Sequence, residues 1–256
     1  MPTAVITGPT SGLGLAFARI LAAEGYAVVL VSRDENRLQQ VAAELTALHG
    51  TTCEVLSADL ADPSDVRRVE QRLSAGGVDM LVNNAGFGLP SAFEASDIDD
   101  EQRSLDVLVG AVLRLTRAAL PPMLAQGHGD VINVSSIAGF LPRGTYGASK
   151  AWVTSFSTWA HAHYRRQGIR VLALCPGFVH TEFHSRMGVD MSRLPDWLWS
   201  DADDVVRGGL VALRAGKALA MPGWRYRALV TGSRLMPRGL VERVAGAGRR
   251  VIRRPT

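Results

Sequence analysis

The sequence predicts an α/β protein built on a doubly wound, mostly parallel sheet, in a single domain. Three observations carry that expectation. Short β-rich runs alternate with longer helical runs along most of the 256 residues. The β-rich runs are almost continuously apolar, as in Val28-Val29-Leu30-Val31, which suits strands covered on both faces. A glycine-rich turn follows the first strand and opens the first helix, where backbone N–H groups are free to meet an anion.

The elements follow in order. Thr3–Thr7 reads as the first strand and Gly12–Ala23 as the first helix; Tyr26–Ser32 and Glu35–Leu48 form the next strand and helix. Thr52–Ser57 is a third strand, Pro63–Leu73 a helix with proline in its first turn, and Val78–Asn83 a fourth strand. Asp99–Ala125 is a long helix, expected to bend or end at Pro121-Pro122 because proline lacks the N–H that a helix interior needs. Val131–Ser135 is a fifth strand, Thr145–Gln167 a long helix, Ile169–Cys175 a sixth strand and Ala218–Met221 a last one. Residues 1–222 are expected to form the nucleotide-binding and catalytic unit, and 223–256 a basic extension, partly docked or flexible.

Composition narrows the function classes. Apolar residues make up 47% and charged residues 20%, the balance of a globular chain rather than a disordered one. The net charge is +4, and much of the excess falls after Arg225, so the body gives little support to a nucleic-acid partner. Cys53 and Cys175 sit in apolar runs and read as reduced, buried thiols, which points to the cytoplasm. The first residues lack a basic n-region and are broken by Gly8, Pro9, Gly12 and Gly14, unlike a signal peptide. No window is expected to have the unbroken apolar length of a membrane span.

The candidate chemistry centres on Ser135-Ser136-Ile137-Ala138-Gly139 and Tyr146-Gly147-Ala148-Ser149-Lys150. Tyr146 and Lys150 are four apart, so on a helix they share a face one turn from each other. An ammonium beside a phenol favours the phenolate and is expected to lower the tyrosine's pKa from about 10. With a serine hydroxyl to hold a substrate oxygen, these parts suit proton transfer to or from an alcohol oxygen.

Gly8-Pro9-Thr10-Ser11-Gly12-Leu13-Gly14 is the candidate pyrophosphate turn; its spacing is G-x-x-x-G-x-G rather than G-x-G-x-x-G. The second strand ends at Ser32-Arg33, about 20 residues on, where an acidic residue would mark NAD; an arginine suits the 2′-phosphate of NADP. NADPH is therefore expected to be preferred over NADH.

Taken together, Thr7-Gly8-x-x-x-Gly12-x-Gly14, Asp59-Leu60, Asn83-Asn84-Ala85-Gly86, Ser136 with Tyr146-x-x-x-Lys150, and Pro176-Gly177-x-x-x-Thr181 resemble the short-chain dehydrogenase/reductase superfamily, single-domain branch. The resemblance runs from residue 3 to about 182. It implies a Rossmann-type fold and hydride transfer between NADP(H) and a small-molecule carbonyl or alcohol. Tyr146 would be the acid/base, Lys150 would lower its pKa and hold the nicotinamide ribose, and Ser136 would orient the substrate oxygen, with Ser135 the alternative hydroxyl. Asp59 would face the adenine, with Leu60 beside it. Asn83, Ala85 and Gly86 would line the cofactor. Pro176, Gly177, Val179 and Thr181 would meet its nicotinamide end. A homodimer or homotetramer through the two long helices is implied as well.

Two departures stand out. Ser136 and Tyr146 are ten apart, a few fewer than is usual in the family. In Asp106-Val107-Leu108-Val109, Leu108 stands where the family carries an asparagine that helps hold a water linking the active-site lysine to solvent. These motivate the alternative of an NADPH-binding sensor or scaffold with little turnover. A sugar-nucleotide epimerase with the same Tyr–Lys pair is disfavoured by the chain length and glycine spacing.

His180, Glu182 and His184 are placed in a substrate loop rather than a zinc site, because His-Thr-Glu-Phe-His is not H-E-x-x-H; no metal is expected. Leu194, Pro195, Trp197, Leu198 and Trp199, with Phe87 and Leu89, form either an apolar substrate pocket or ordinary packing. From Arg234 to Arg254 the tail carries seven arginines against Glu242. Contact with an anionic membrane surface is the less favoured reading of it, and a partly docked terminus the favoured one.

Overall fold

A computed structural model of the chain describes residues 1–142, 144–180, 195–223, 225, 226 and 232. The strands are β1 (Thr3–Thr7), β2 (Ala27–Ser32), β3 (Cys53–Ser57), β4 (Met80–Asn83), β5 (Gly129–Val134), β6 (Ile169–Leu174), β7 (Phe178–Val179), β8 (Trp199–Ser200) and β9 (Leu219–Ala220). The main sheet has the order β3-β2-β1-β4-β5-β6-β9, and each pairing in it is parallel. β7 and β8 pair separately, Phe178 with Trp199 and Val179 with Ser200.

The helices are α1 (Gly12–Ala23), α2 (Glu35–His49), α3 (Pro63–Ser74), α4 (Ile98–Leu105), α5 (Val112–Gln126), α6 (Gly144–Tyr164) and α7 (Ala202–Arg214). Their starts are chemically marked. Asp34, Asp62, Asp97 and Asp201 each accept a hydrogen bond from a first-turn N–H of the helix they precede, which removes one of its orphan donors. α2 and α5 stop where Gly50 and Gly127 take the left-handed backbone that ends a helix.

The helices cover both faces, so neighbouring residues of one strand enter different cores. Ile6 joins Phe17, Leu21, Leu38, Leu45, Leu210 and Leu213 under α1, α2 and α7. Val5 joins Val66, Leu73, Leu115, Met123 and Ala160 under α3, α5 and α6. Each such large side chain, fully buried, contributes about 1.5–3 kcal/mol. The winding reverses between β1 and β4, which are adjacent although two strands separate them in sequence. A crevice at the carboxyl ends of the strands at that reversal is where such a sheet takes its ligand.

The long helix corrects the sequence expectation. It does not end at the prolines; α5 continues to Gln126 with Pro121 and Pro122 inside it. Pro121 is on the exposed face, where water can serve the carbonyl it leaves free. The carbonyl of Ala118, four before Pro122, accepts the Ser74 hydroxyl at 3.5 Å. The irregularity lies earlier: Asp106–Ala111, between α4 and α5, is wound as a π-helix. Ile98–Gln126 is also long and apolar enough to cross a membrane, with a mean hydropathy of 1.4, contrary to the expectation that no window would be; half of that window is buried inside the body, as in a core helix.

Candidate active site

The glycine turn is built by close approach. Gly8 and Gly12 have φ of +68° and +54°, a region that side chains disfavour. A Cβ on Gly14 would stand 2.0 Å from the Gly8 carbonyl oxygen and 2.5 Å from the Asn84 side-chain nitrogen. The turn is stapled to the loop after β4. The Asn84 amide donates to the carbonyls of Thr7 (2.9 Å) and Gly8 (3.1 Å), and the Thr7 hydroxyl accepts from the N–H groups of Asn84 (2.9 Å) and Ala85 (3.0 Å). Ser11 caps α1 by backbone position only; its side chain makes no cap hydrogen bond. The first-turn N–H groups, Leu13 and Gly14 among them, thus face the crevice end without the carboxylate that closes α2, α3, α4 and α7.

The expected catalytic residues come together. Ser136 follows the end of β5; its hydroxyl accepts from the Ala138 N–H at 3.1 Å and lies close enough to the Tyr146 phenol to lower the phenol's pKa. The ten-residue spacing therefore still closes. Lys150 lies one turn further along α6, its Nζ 5.7 Å from the centre of the Tyr146 ring. That ammonium is 4% exposed and donates to the Val134 carbonyl at 2.7 Å. Its other two N–H groups make no hydrogen bond to protein among the described residues. Burial pushes the Lys150 ammonium down to about 8. Burial likewise pushes the Tyr146 phenol up to about 12, and the Ser136 hydroxyl pulls it only part of the way back. Lowering of the tyrosine pKa by Lys150 was expected; burial instead raises it, and Ser136 is the group that opposes the rise. Ser135, the alternative hydroxyl, is 2% exposed and bound to the Lys150 carbonyl and the Thr154 hydroxyl, both at 2.7 Å.

The other expected residues divide into those that face the crevice and those that support it. Arg33, just past β2, is exposed, and its guanidinium has no partner among the described residues. Ser32 accepts from the Asp34 N–H at 3.3 Å. Asp59 is engaged: one carboxylate oxygen pairs with Arg103 and the other accepts from the Ala61 N–H at 3.0 Å. Leu60 and Val179 are core residues, so only their backbones can serve the crevice. Asn83 was expected to line the cofactor; its amide instead donates to Thr116 (3.1 Å) and Asn133 (2.8 Å), and Asn133 donates to Ser157 (2.9 Å). That buried ladder ties β4 and β5 to α5 and α6. Pro176 accepts from the Ile137 N–H at 3.0 Å, which sets the Pro176-Gly177 turn beside the Ser136 loop. Thr181, Glu182, His184, Leu194 and the tail from Arg234 lie outside the described residues.

Gly86, Leu108 and Lys150 meet in one place. A Cβ on Gly86 would be 2.8 Å from the Leu108 Cδ2 and 3.8 Å from the Lys150 Nζ. Leu108 is fully buried in the π-helical segment and presents only carbon there. Beyond Gly177, Phe178, Trp199 and His180 form an aromatic wall: the rings of Phe178 and Trp199 are 5.9 Å apart, and His180 stacks on Trp199 at 4.7 Å.

Thr7, Asn84 and Arg37 brace the glycine turn, a part that the sequence reading did not give them. Asn84 stands next to an assigned asparagine. Arg37 is four residues after Arg33, and its Nε donates to the Thr10 carbonyl of the glycine turn at 3.4 Å.

A family profile described as short chain dehydrogenase matches residues 2–191. The chain belongs to the short-chain dehydrogenases. It is 36% identical over 187 residues to a very-long-chain 3-oxoacyl-CoA reductase from Anas platyrhynchos, covering 70% of this chain and 60% of that protein's length. A short-chain dehydrogenase from Sphingobium yanoikuyae in complex with NADPH superposes with a TM-score of 0.84 at 33% identity, covering 94% of this chain and 95% of the other. The bulky-bulky ketone specific alcohol dehydrogenase from Comamonas testosteroni superposes with a TM-score of 0.80 at 28% identity, covering 93% and 96%. The family is one of oxidoreductases that use NAD(P).

Proposed function

We propose that the protein is an NADPH-dependent carbonyl reductase, or the corresponding alcohol dehydrogenase, acting on bulky, largely apolar ketones. The observation that carries this reading is the convergence of the Ser136 hydroxyl and the Lys150 ammonium on Tyr146, with the Lys150 Nζ 5.7 Å from the centre of its ring. The residues present fit the dinucleotide: a glycine cradle that a Cβ would fill, an α1 N-terminus without a side-chain cap, and, among the described residues, spare donors on Lys150 and an Arg33 guanidinium without a partner. Lys150 would hold the nicotinamide ribose, and Arg33 the 2′-phosphate by a charge-assisted bond that NADH does not offer. When bound, the nicotinamide supplies the hydride that goes to the carbonyl carbon.

The chain's own residues do the rest. Ser136 donates to the substrate oxygen and orients it. Tyr146 keeps its proton up to about pH 12 and so is a neutral acid at working pH; it gives that proton to the oxygen as negative charge develops there. Lys150 favours the tyrosinate left behind. The Phe178–His180–Trp199 wall supports a bulky apolar substrate, as does the likeness to an enzyme named for bulky ketones. The test is NADPH absorbance over a panel of aryl and alicyclic ketones, with Tyr146→Phe as comparator. Tyr146→Phe should bind NADPH normally and lose about 10²–10⁴-fold in kcat, the usual worth of a positioned proton donor. Full activity in that variant would contradict the reading. A second reading, an NADPH-binding protein with little turnover, is favoured by Leu108 alone, since an apolar side chain beside Lys150 cannot relay a proton. Tight NADPH binding with no consumption across the panel would support it.

A further inference from the structure

We propose that Tyr226, from the extension beyond the last strand of the sheet, is a positioning residue for the Pro176-Gly177-Phe178 turn. The inference rests on the reading above, in which that turn meets the nicotinamide end of the cofactor. Tyr226 is 4% exposed although it lies in the segment expected to be an appendage. Its ring occupies the place of the side chain that Gly177 lacks: a Cβ on Gly177 would fall 2.0–2.3 Å from the ring atoms Cζ, Cε1 and Cε2. Its hydroxyl accepts the Phe178 N–H at 3.0 Å and donates to the Leu198 carbonyl. One phenol therefore joins the turn, through β7, to the segment that enters β8.

Arg225 repeats the attachment one residue earlier. Its guanidinium lies 5.5 Å from the centre of the Trp197 ring and donates to the Trp197 carbonyl. The two residues grip adjacent carbonyls of 197 and 198, and Trp199 follows in β8, paired with Phe178 in β7. A backbone group of β7 and the carbonyls just before β8 are thus held from one point. On the other side the Pro176 carbonyl accepts from the Ile137 N–H. Without the phenol, the Phe178 N–H loses its acceptor, and the turn must be ordered by the cofactor at the cofactor's expense in affinity. Burial raises the Tyr226 pKa, which keeps the hydroxyl a donor at neutral pH.

The experiment has a cofactor-free arm and a cofactor arm. In the ligand-free protein, Tyr226→Phe should speed hydrogen exchange at the Phe178 amide, since the ring stays and only the acceptor goes. In NADPH titrations followed by nicotinamide fluorescence, Tyr226→Phe should raise Kd about threefold to tenfold, the worth of one hydrogen bond. The KM for NADPH should rise with it, and kcat at saturating NADPH should change less. Gly177→Ala should weaken NADPH binding more strongly, and Gly177→Ala in a Tyr226→Ala background should recover part of the loss, because the colliding ring is gone. Melting curves check that each variant is folded. Faster Phe178 exchange in Tyr226→Phe, together with a parent that binds no NADPH, would leave the clamp standing and overturn the cofactor role. A parent that binds NADPH, with Tyr226→Phe unchanged in both Kd and Phe178 exchange, would overturn the inference and leave the proposed function intact. Strictly additive effects of Gly177→Ala and Tyr226→Ala would overturn it as well.

Discussion

The two ends of the main sheet use their polar groups in opposite ways. At the amino ends, charge satisfies itself. Both oxygens of the buried Asp130 pair with Arg170, at 2.6 and 2.7 Å. Asp79 accepts the Thr3 N–H at 2.7 Å and meets the His128 ring at 3.1 Å. At the carboxyl ends the polar groups are held in place and left unfinished. Lys150 is fixed by one hydrogen bond with two donors spare, Arg33 has no partner among the described residues, and α1 begins without a side-chain cap. The difference teaches where to look for chemistry: a closed ion pair is structure, whereas a buried group held but unsatisfied is prepared for something that is not protein.

Changes at the carboxyl ends should therefore move binding and turnover, and changes at the amino ends should move stability alone. After loss of the Tyr146 hydroxyl, the next largest effect is expected at Arg33. Arg33→Asp should weaken NADPH binding about 10- to 100-fold and reverse the preference over NADH, since a charge-assisted hydrogen bond is worth about 1.5–3 kcal/mol. Fluorescence titration with both cofactors checks this; equal affinities in the parent would break the assignment.

The pH profile comes next. The Lys150 pKa is depressed to about 8, so the folded protein gives up that proton before the unfolded chain does. Between about 8 and the ordinary lysine value of about 10.4 the unfolded state binds more protons, and this group's contribution to stability rises with pH there. Activity should run the other way. The kcat/KM for ketone reduction should fall about tenfold per pH unit above about 8, as the charge that favours the tyrosinate is lost. A profile that stays flat well past that point would separate Lys150 from the proton step.

A smaller effect is expected from Leu108→Asn. An amide beside Lys150 can hold a water that the leucine cannot. Turnover should rise up to a few-fold with little change in KM, at a cost of about 1–3 kcal/mol in stability if the amide stays unpaired. An unchanged kcat in a folded variant, with no solvent isotope effect in the parent, would show that Leu108 does not limit the rate. The smallest effect on activity belongs to the other end of the sheet. Arg170→Met should lower Tm by several degrees, equivalent to about 1–2 kcal/mol for a half-exposed partner of a buried carboxylate, and leave kcat and the NADPH Kd at parental values. A loss of turnover matching the loss of Tm would erase the contrast between the two ends.

What the sequence made legible was local. The Tyr146–Lys150 spacing fixes a shared helix face, and the Gly8–Gly14 turn is announced by its strand and helix neighbours. The alternation of apolar runs was enough for the parallel sheet. What it hid depends on partners far along the chain. Thr7 and Asn84, 77 residues apart, join the glycine turn to the next loop. Tyr226 reaches Phe178 from 48 residues away. That the Asn83 amide is taken up in a buried ladder was hidden because its partners, Thr116 and Asn133, lie on other elements. The prolines misled because Pro121 faces solvent and Ser74 serves the carbonyl freed by Pro122. The π-helical turn at Leu108 carries no glycine–proline punctuation to announce it, Gly110 apart.

The most direct test places both ends of the sheet in one assay. NADPH consumption with a bulky ketone is followed for the parent, Tyr146→Phe and Arg170→Met, each checked for NADPH binding by fluorescence. The account predicts turnover in the parent, parental turnover in Arg170→Met, and in Tyr146→Phe a loss of about 10²–10⁴-fold with NADPH affinity retained. Equal turnover in Tyr146→Phe and the parent would contradict it.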